Sequence, residues 1–210
     1  LGAAQKGKGD LDAAIDSYQQ VLKIKPDYAD AHYNMGNALK DTGDLEAAIS
    51  SFNKALKIKP DYAEAYNNIG NALKDTDDLE AAIDSFNKAL NIRPDYVDAY
   101  NNLGAVLQDK GDLDAAINSY QQALKIKPDY AEAHYNMGNA LKDKGDPEAA
   151  IGSFNKALKI KPDYAEAYNN MANALKDKGD FEASIDSYTK ALKIKPDYAE
   201  AYYNMGNVLK

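Results

Sequence analysis

Asparagine recurs at a fixed interval in this chain: Asn34, Asn68, Asn102, Asn136, Asn170 and Asn204 each stand 34 residues from the next. A second series follows three residues behind, at Asn37, Asn71, Asn139, Asn173 and Asn207, with Ala105 interrupting it. A primary amide donates through its nitrogen and accepts through its oxygen, so one side chain can pair with both the N–H and the C=O of a peptide backbone. A row of such groups suits an extended chain and is largely indifferent to that chain's own side chains. The residues are not cheap where they stand. Segments such as AYNNIGNALK at 65–74 read as helix, yet each Asn costs several tenths of a kcal/mol against Ala there and Gly about 1 kcal/mol.

Catalytic and metal chemistry have no comparable foothold. Cysteine is absent, which removes disulfides, thiolate metal sites and a cysteine nucleophile together. The two histidines, His32 and His134, lie three repeats apart with no third ligand in prospect. Paired acids recur many times over at polar ends and turns, so none marks one special place. Asp75-Thr76-Asp77-Asp78 lacks the Gly and the terminal Glu of a calcium-binding loop. The expectation is a non-enzyme without metal or cofactor. The net charge of -8 is spread along the whole length; no basic stripe is available to neutralise phosphates, so no nucleic-acid partner is expected. No apolar run approaches the length of a membrane span, and no targeting pattern opens the chain. It reads as a soluble fragment starting at Leu1 without an initiator Met, its compartment open with a slight lean to the cytoplasm.

The elements that must position the asparagines follow from the same period. Prolines fall at 26, 60, 94, 128, 162 and 196. With position 1 set at the residue after each Pro-Asp-Tyr, complete repeats span 29–62, 63–96, 97–130, 131–164 and 165–198. A partial repeat fills 1–28, and 199–210 reads as the first helix of a further repeat, serving as a C-terminal cap. Positions 4, 7, 8 and 11 carry Tyr or His, an aliphatic or Met, Gly, and Leu; at 100° per residue they share one side of a helix. Positions 2, 5, 6, 9, 12 and 13 fall on the opposite, polar side. A turn of the Asp-Lys-Gly-Asp type follows, and its last Asp (Asp44, Asp112, Asp146) is placed to cap the next helix. Pro147 sits at the first helical position, where its missing N–H costs nothing. The second helix is apolar at positions 17, 20, 21, 24, 27 and 28. Each repeat is therefore two antiparallel amphipathic helices. The Gly at position 8 (Gly36, Gly70, Gly104, Gly138, Gly206) is expected to admit close helix packing, and Tyr28, Tyr62 and their kin to pack between repeats. His32 and His134 take the place of the core aromatic at position 4. Residues 29–62 and 131–164 differ at only four places, and Gln19-Gln20 matches Gln121-Gln122, traces of a longer duplication.

The 34-residue helix-turn-helix unit resembles the tetratricopeptide repeat. In 63–96 the signature places hold Tyr66, Ile69, Gly70, Ala82, Phe86, Ala89 and Pro94. Departures are Ala172 for the first-helix Gly, Asp77 for a turn Gly and Gln5 for a core Leu. The resemblance implies an all-α fold, a right-handed superhelical solenoid of antiparallel helix pairs whose first helices line a concave groove. Carried onto that fold, the asparagines form a ladder along the groove, similar to the Asn-lined superhelix of the O-linked N-acetylglucosamine transferases. The implied partner is a protein or peptide segment in extended conformation. Lys40, Lys74, Lys142 and Lys176 at position 12, with acids at positions 2 and 13, would favour ligands of mixed charge or merely form a salt-bridged face. Tyr33, Tyr135 and Tyr203 at position 5 would stack on ligand side chains or fill surface. The ladder itself has a blander alternative, a polar face copied by duplication. The family's carboxylate clamp needs Lys and Arg at positions 2, 5 and 6, where this chain has acids, Asn or Tyr. The expected role is a non-catalytic protein-interaction module. Alternatives are the recognition arm of a larger enzyme, such as a glycosyltransferase, and a scaffold that stacks end to end.

Overall fold

The five turns that join the helix pairs are capped as their Asp residues require. Asp44, Asp78, Asp112, Asp146 and Asp180 each accept from the backbone N–H three residues on, at 3.0–3.3 Å, contacts worth about 1 kcal/mol apiece. The computed structural model describes the backbone of residues 2–210 and the side chains from Asp10 onward; the side chain of Gln5 lies outside the described residues. Among the described residues there are twelve α-helices and no strand: α1 (Gly2–Ile24), α2 (Ala29–Asp41), α3 (Leu45–Ile58), α4 (Ala63–Asp75), α5 (Leu79–Ile92), α6 (Val97–Asp109), α7 (Leu113–Ile126), α8 (Ala131–Asp143), α9 (Pro147–Ile160), α10 (Ala165–Lys178), α11 (Phe181–Ile194) and α12 (Ala199–Val208).

The chain forms two compact halves, Leu1–Val106 and Leu107–Lys210. In the first, α1 packs on α2, α2 on α3, α3 on α4 and α4 on α5; in the second, the same succession runs from α7 to α12. First helices of neighbouring repeats also touch, α2 on α4 in the first half and α8 on α10 on α12 in the second, whereas α3 and α5, or α9 and α11, do not. Within each half the first helices therefore lie on the inner side of the stack, which is where the asparagines sit.

In three of the repeats the helix pair is closed by a ring over a glycine. Phe52, Phe86 and Phe154 are fully buried. A Cβ added at Gly36, Gly70 or Gly138 would come within 2.6, 2.7 and 2.6 Å of them in turn. No side chain fits there, so the packed aromatic offsets the helix-propensity cost that the sequence displays. Gly152, inside α9, has nothing within 4 Å of such a Cβ. In the last complete repeat the pair is Ala172 with Tyr188, both buried in one cluster.

One element differs from the sequence reading. The Gly-Lys-Gly-Asp stretch at 7–10 carries the turn signal, yet α1 runs unbroken through it. The other turns do need a left-handed residue: Gly43, Gly111, Gly145 and Gly179 have φ of 87–88°, and Asp77 is held at 64° in the same place.

Gly70→Ala is expected to destabilise the fold by about 1–3 kcal/mol because Phe86 cannot move away, while Gly152→Ala adds up to about 1 kcal/mol through helix propensity. Urea unfolding of the two variants beside the parent checks the opposite signs. Asp77→Gly relieves a left-handed aspartate and is expected to raise stability by about 1 kcal/mol, read as a higher thermal midpoint.

Candidate functional site

The asparagines on the inner side are joined to each other across repeats. In the first half, Asn68 on α4 donates from Nδ2 to Asn37 Oδ1 on α2 at 2.7 Å and to the Tyr33 hydroxyl at 3.1 Å. Its own Oδ1 accepts from Asn67 Nδ2 at 3.3 Å, and Asn102 Nδ2 reaches Asn67 Oδ1 at 3.1 Å. In the second half, Asn170 donates to Asn139 Oδ1 at 2.8 Å and to the Tyr135 hydroxyl at 3.0 Å, and accepts from Asn169 Nδ2 at 3.1 Å. Asn37, Asn71, Asn102, Asn136, Asn139, Asn173 and Asn204 are half-buried, while Asn34 and Asn207 are exposed. The rows of the sequence are thus a connected amide network rather than separate side chains in water.

Tyr33 and Tyr135 differ from the expectation of free rings. The Tyr33 ring lies 4.7 Å from Tyr62 in a stacked pair and 5.7 Å from Phe52. Tyr135 lies 4.8 Å from Tyr164 and 6.0 Å from Phe154. Their ring faces are taken by the next aromatic of the fold, leaving the hydroxyls to face the amides. Burial pushes the Tyr135 hydroxyl up from its ordinary value, with the nearby Asn139 amide acting in the opposite direction. Burial, then neighbouring Tyr135 and Glu132, pushes Tyr164 to about 12. Tyr203 on α12 does expose its ring, 71% accessible. Tyr62 and Tyr164 fill the between-repeat role expected of position 34.

The charged rows are partly internal. Asp30 accepts from the Tyr62 hydroxyl at 3.2 Å, Glu64 pairs with Arg93, and Lys195 stands 3.8 Å from Glu166. Burial raises Glu64, but the Arg93 guanidinium outweighs it and leaves the carboxyl below its ordinary range. At position 12, Lys142 and Lys176 stand 3.3 and 3.9 Å from the adjacent Asp143 and Asp177, and Gln108 donates to Asp143 at 2.7 Å. Lys40 and Lys74 are half-buried in the same row. Among the described residues no group of three acids or histidines is placed to hold a metal.

Comparison with known proteins settles what this arrangement belongs to. The TPR repeat family matches residues 4–43, 36–77, 70–111, 107–145, 138–179 and 172–210. The chain belongs to the tetratricopeptide repeat family. Among solved structures, the TPR chain resembles MamA at 34% identity, covering 79% of this chain and 97% of that one, with a TM-score of 0.69. It resembles YrrB, described as a TPR protein with an unusual peptide-binding site, at 25% identity, covering 91% and 99%, with a TM-score of 0.74. A thermophilic TPR protein of Thermus thermophilus shares the fold at 22% identity and TM-score 0.66, covering 87% and 99%. A search of the curated proteins finds no match.

Three buried residues of the TPR first helices escaped the sequence reading: Asn67, Asn101 and Asn169 at position 5. All are buried, at 5, 5 and 0% exposure. The signal was present, since position 5 lies one helical turn from the buried position 1 and three residues before the buried glycine. Its alternation between Tyr and Asn drew attention to the rings alone. In both residue types a buried polar end meets the neighbouring repeat.

His32 and His134 pack as the core aromatic they replace. Each Nε2 donates to a proline carbonyl, Pro26 or Pro128, at 3.0 Å, while each Nδ1 is buried without a partner. Burial lowers the His134 pKa, the Pro128 carbonyl raises it and Lys156 lowers it further, leaving it below the ordinary value. The unfolded chain thus takes up a proton near pH ~6.5 that the fold resists, so this stability is full above that pH and declines as pH falls through it. His134→Tyr, the residue found at 66 and 168, is expected to lose less of its urea midpoint than the parent between pH 7.5 and 5.5.

Proposed function

We propose that this TPR chain is a non-catalytic interaction module that holds an extended peptide segment along the inner side of its first helices, through the asparagine side chains. One observation carries the reading. The amides are pinned in place by each other, with Asn37, Asn68, Asn139 and Asn170 held by bonds of 2.7–2.8 Å across repeats. Groups fixed before the ligand arrives lose little conformational freedom on binding, which is the usual advantage of a preorganised site. An amide row costs helix stability, and Lys or Glu would solvate the same face more cheaply. The likeness to YrrB, whose description includes a peptide-binding site, agrees with this reading. Lys40, Lys74, Lys142 and Lys176, beside the acids of position 13, favour a polar ligand of mixed charge; Asn34, Asn71, Asn136, Asn173, Asn204, Asn207 and Tyr203 extend the same face.

Peptides selected from a random extended library serve as ligands. Calorimetry then compares the parent with a variant in which Asn68, Asn102, Asn136 and Asn170 are all Ala. The expected result is a loss of affinity of at least tenfold, about 1.4 kcal/mol, with helical content unchanged by circular dichroism. Undiminished affinity in a fully helical variant sinks the proposal.

A further inference from the structure

The hydrogen-bond inventory of the network says which of its groups are available to a ligand. Asn68 Nδ2 has two N–H groups, and both are used, on Asn37 Oδ1 and on the Tyr33 oxygen. Its Oδ1 already accepts once, from Asn67. Asn68 therefore has no N–H left for a ligand carbonyl. What remains is the proton of Tyr33, whose oxygen is the acceptor in its bond to Asn68, and the Nδ2 of Asn37, whose oxygen is likewise occupied. The second half repeats the arrangement atom for atom, with Asn170 on Asn139 and Tyr135 and with Asn169 on Asn170. In both places the tyrosine ring is clamped between a Phe and the next Tyr.

No other junction can build this triad. Position 5 holds Asn67, Asn101 or Asn169 elsewhere, which brings no hydroxyl, and Ala105 removes the amide of position 9. Asn67 accepts from Asn102 in an amide-to-amide bond. Asn169 gives its Nδ2 to Glu200 at 3.3 Å, and the oxygen of Asn173 is taken by the Tyr188 hydroxyl at 2.6 Å. The near-identical repeats 29–62 and 131–164 are the two complete repeats that carry Tyr at position 5 together with Asn at position 9.

We propose that the chain carries two equivalent binding sites, Tyr33–Asn37–Asn68 in the first half and Tyr135–Asn139–Asn170 in the second, each donating hydrogen bonds to backbone carbonyl oxygens of an extended peptide. This rests on the peptide-binding reading above and deepens it: Asn68 and Asn170 are positioning residues, and the contacts to ligand come from position 9 and the tyrosine hydroxyl. A tyrosine hydroxyl of ordinary pKa, about 10, already keeps its proton at neutral pH.

The test uses a capped hexapeptide from the selected library, about 20 Å long when extended, too short to be confused with a ligand running the length of the chain. Calorimetry of the full chain is expected to give two sites of one affinity. Asn37→Ala and Asn139→Ala each reduce the stoichiometry to one, with the remaining site's affinity unchanged, and the double variant binds none; Asn87→Ala, exposed on a second helix, keeps two. In parallel, the side-chain amide signals of Asn37 and Asn139 shift together in the NMR spectrum. A parent stoichiometry of one, or single variants that keep two sites, overturns the two-site assignment while leaving peptide binding intact. Failure of any peptide to bind the parent overturns both.

Discussion

The contact of an aromatic ring with a glycine backbone is what the rest of the structure depends on. At Gly36, Gly70 and Gly138 there is no room for one methyl group beside the ring, so two helices meet closely enough to bury Phe52, Phe86 and Phe154 completely. That contact sets the distance between the helices of a pair, and the pair sets where the next repeat docks. A solenoid of this kind has no central core. Each repeat buries its apolar face only against its neighbours, and stability accumulates along the stack.

The amide network is a consequence of that packing. Once ring and glycine fix the helix pair, position 5 of a first helix is drawn under the adjoining repeat, where Asn67 and Asn169 become nearly or fully buried. A buried amide must find partners or lose the energy of its bonds to water, and the nearest are the amides and hydroxyls of the next first helix. The two Tyr-containing junctions satisfy this with a hydroxyl that accepts and still has a proton to give. Asn67 meets another amide, that of Asn102, while Asn169 gives its Nδ2 to Glu200 and keeps a buried Oδ1 without a partner. The difference between the two kinds of junction is one residue type at position 5, and it changes which groups face outward.

The repeat length, the helix pairs, their caps and the family were all legible in the residues, because each rests on local rules: a 3.6-residue period, an Asp before a helix, a Pro after one. Asp44 and Pro147 stand where those rules put them. The site was legible only in outline. The rows at positions 6 and 9 were plain, but Tyr33 reads as a free ring until Tyr62 is seen stacked on it, and Asn67 reads as one more polar residue until its burial is known. At 7–10 the same motif lies inside α1.

By itself, then, the sequence determined the periodic elements and the faces they present, for the reason that period and capping act within a few residues. Tertiary structure decided which amides are joined, which donors are left over, and that the arrangement of Tyr33, Asn37 and Asn68 recurs at Tyr135, Asn139 and Asn170. Those properties depend on distances between residues about 31 to 35 apart. The stacking of successive first helices brings such residues within hydrogen-bonding reach.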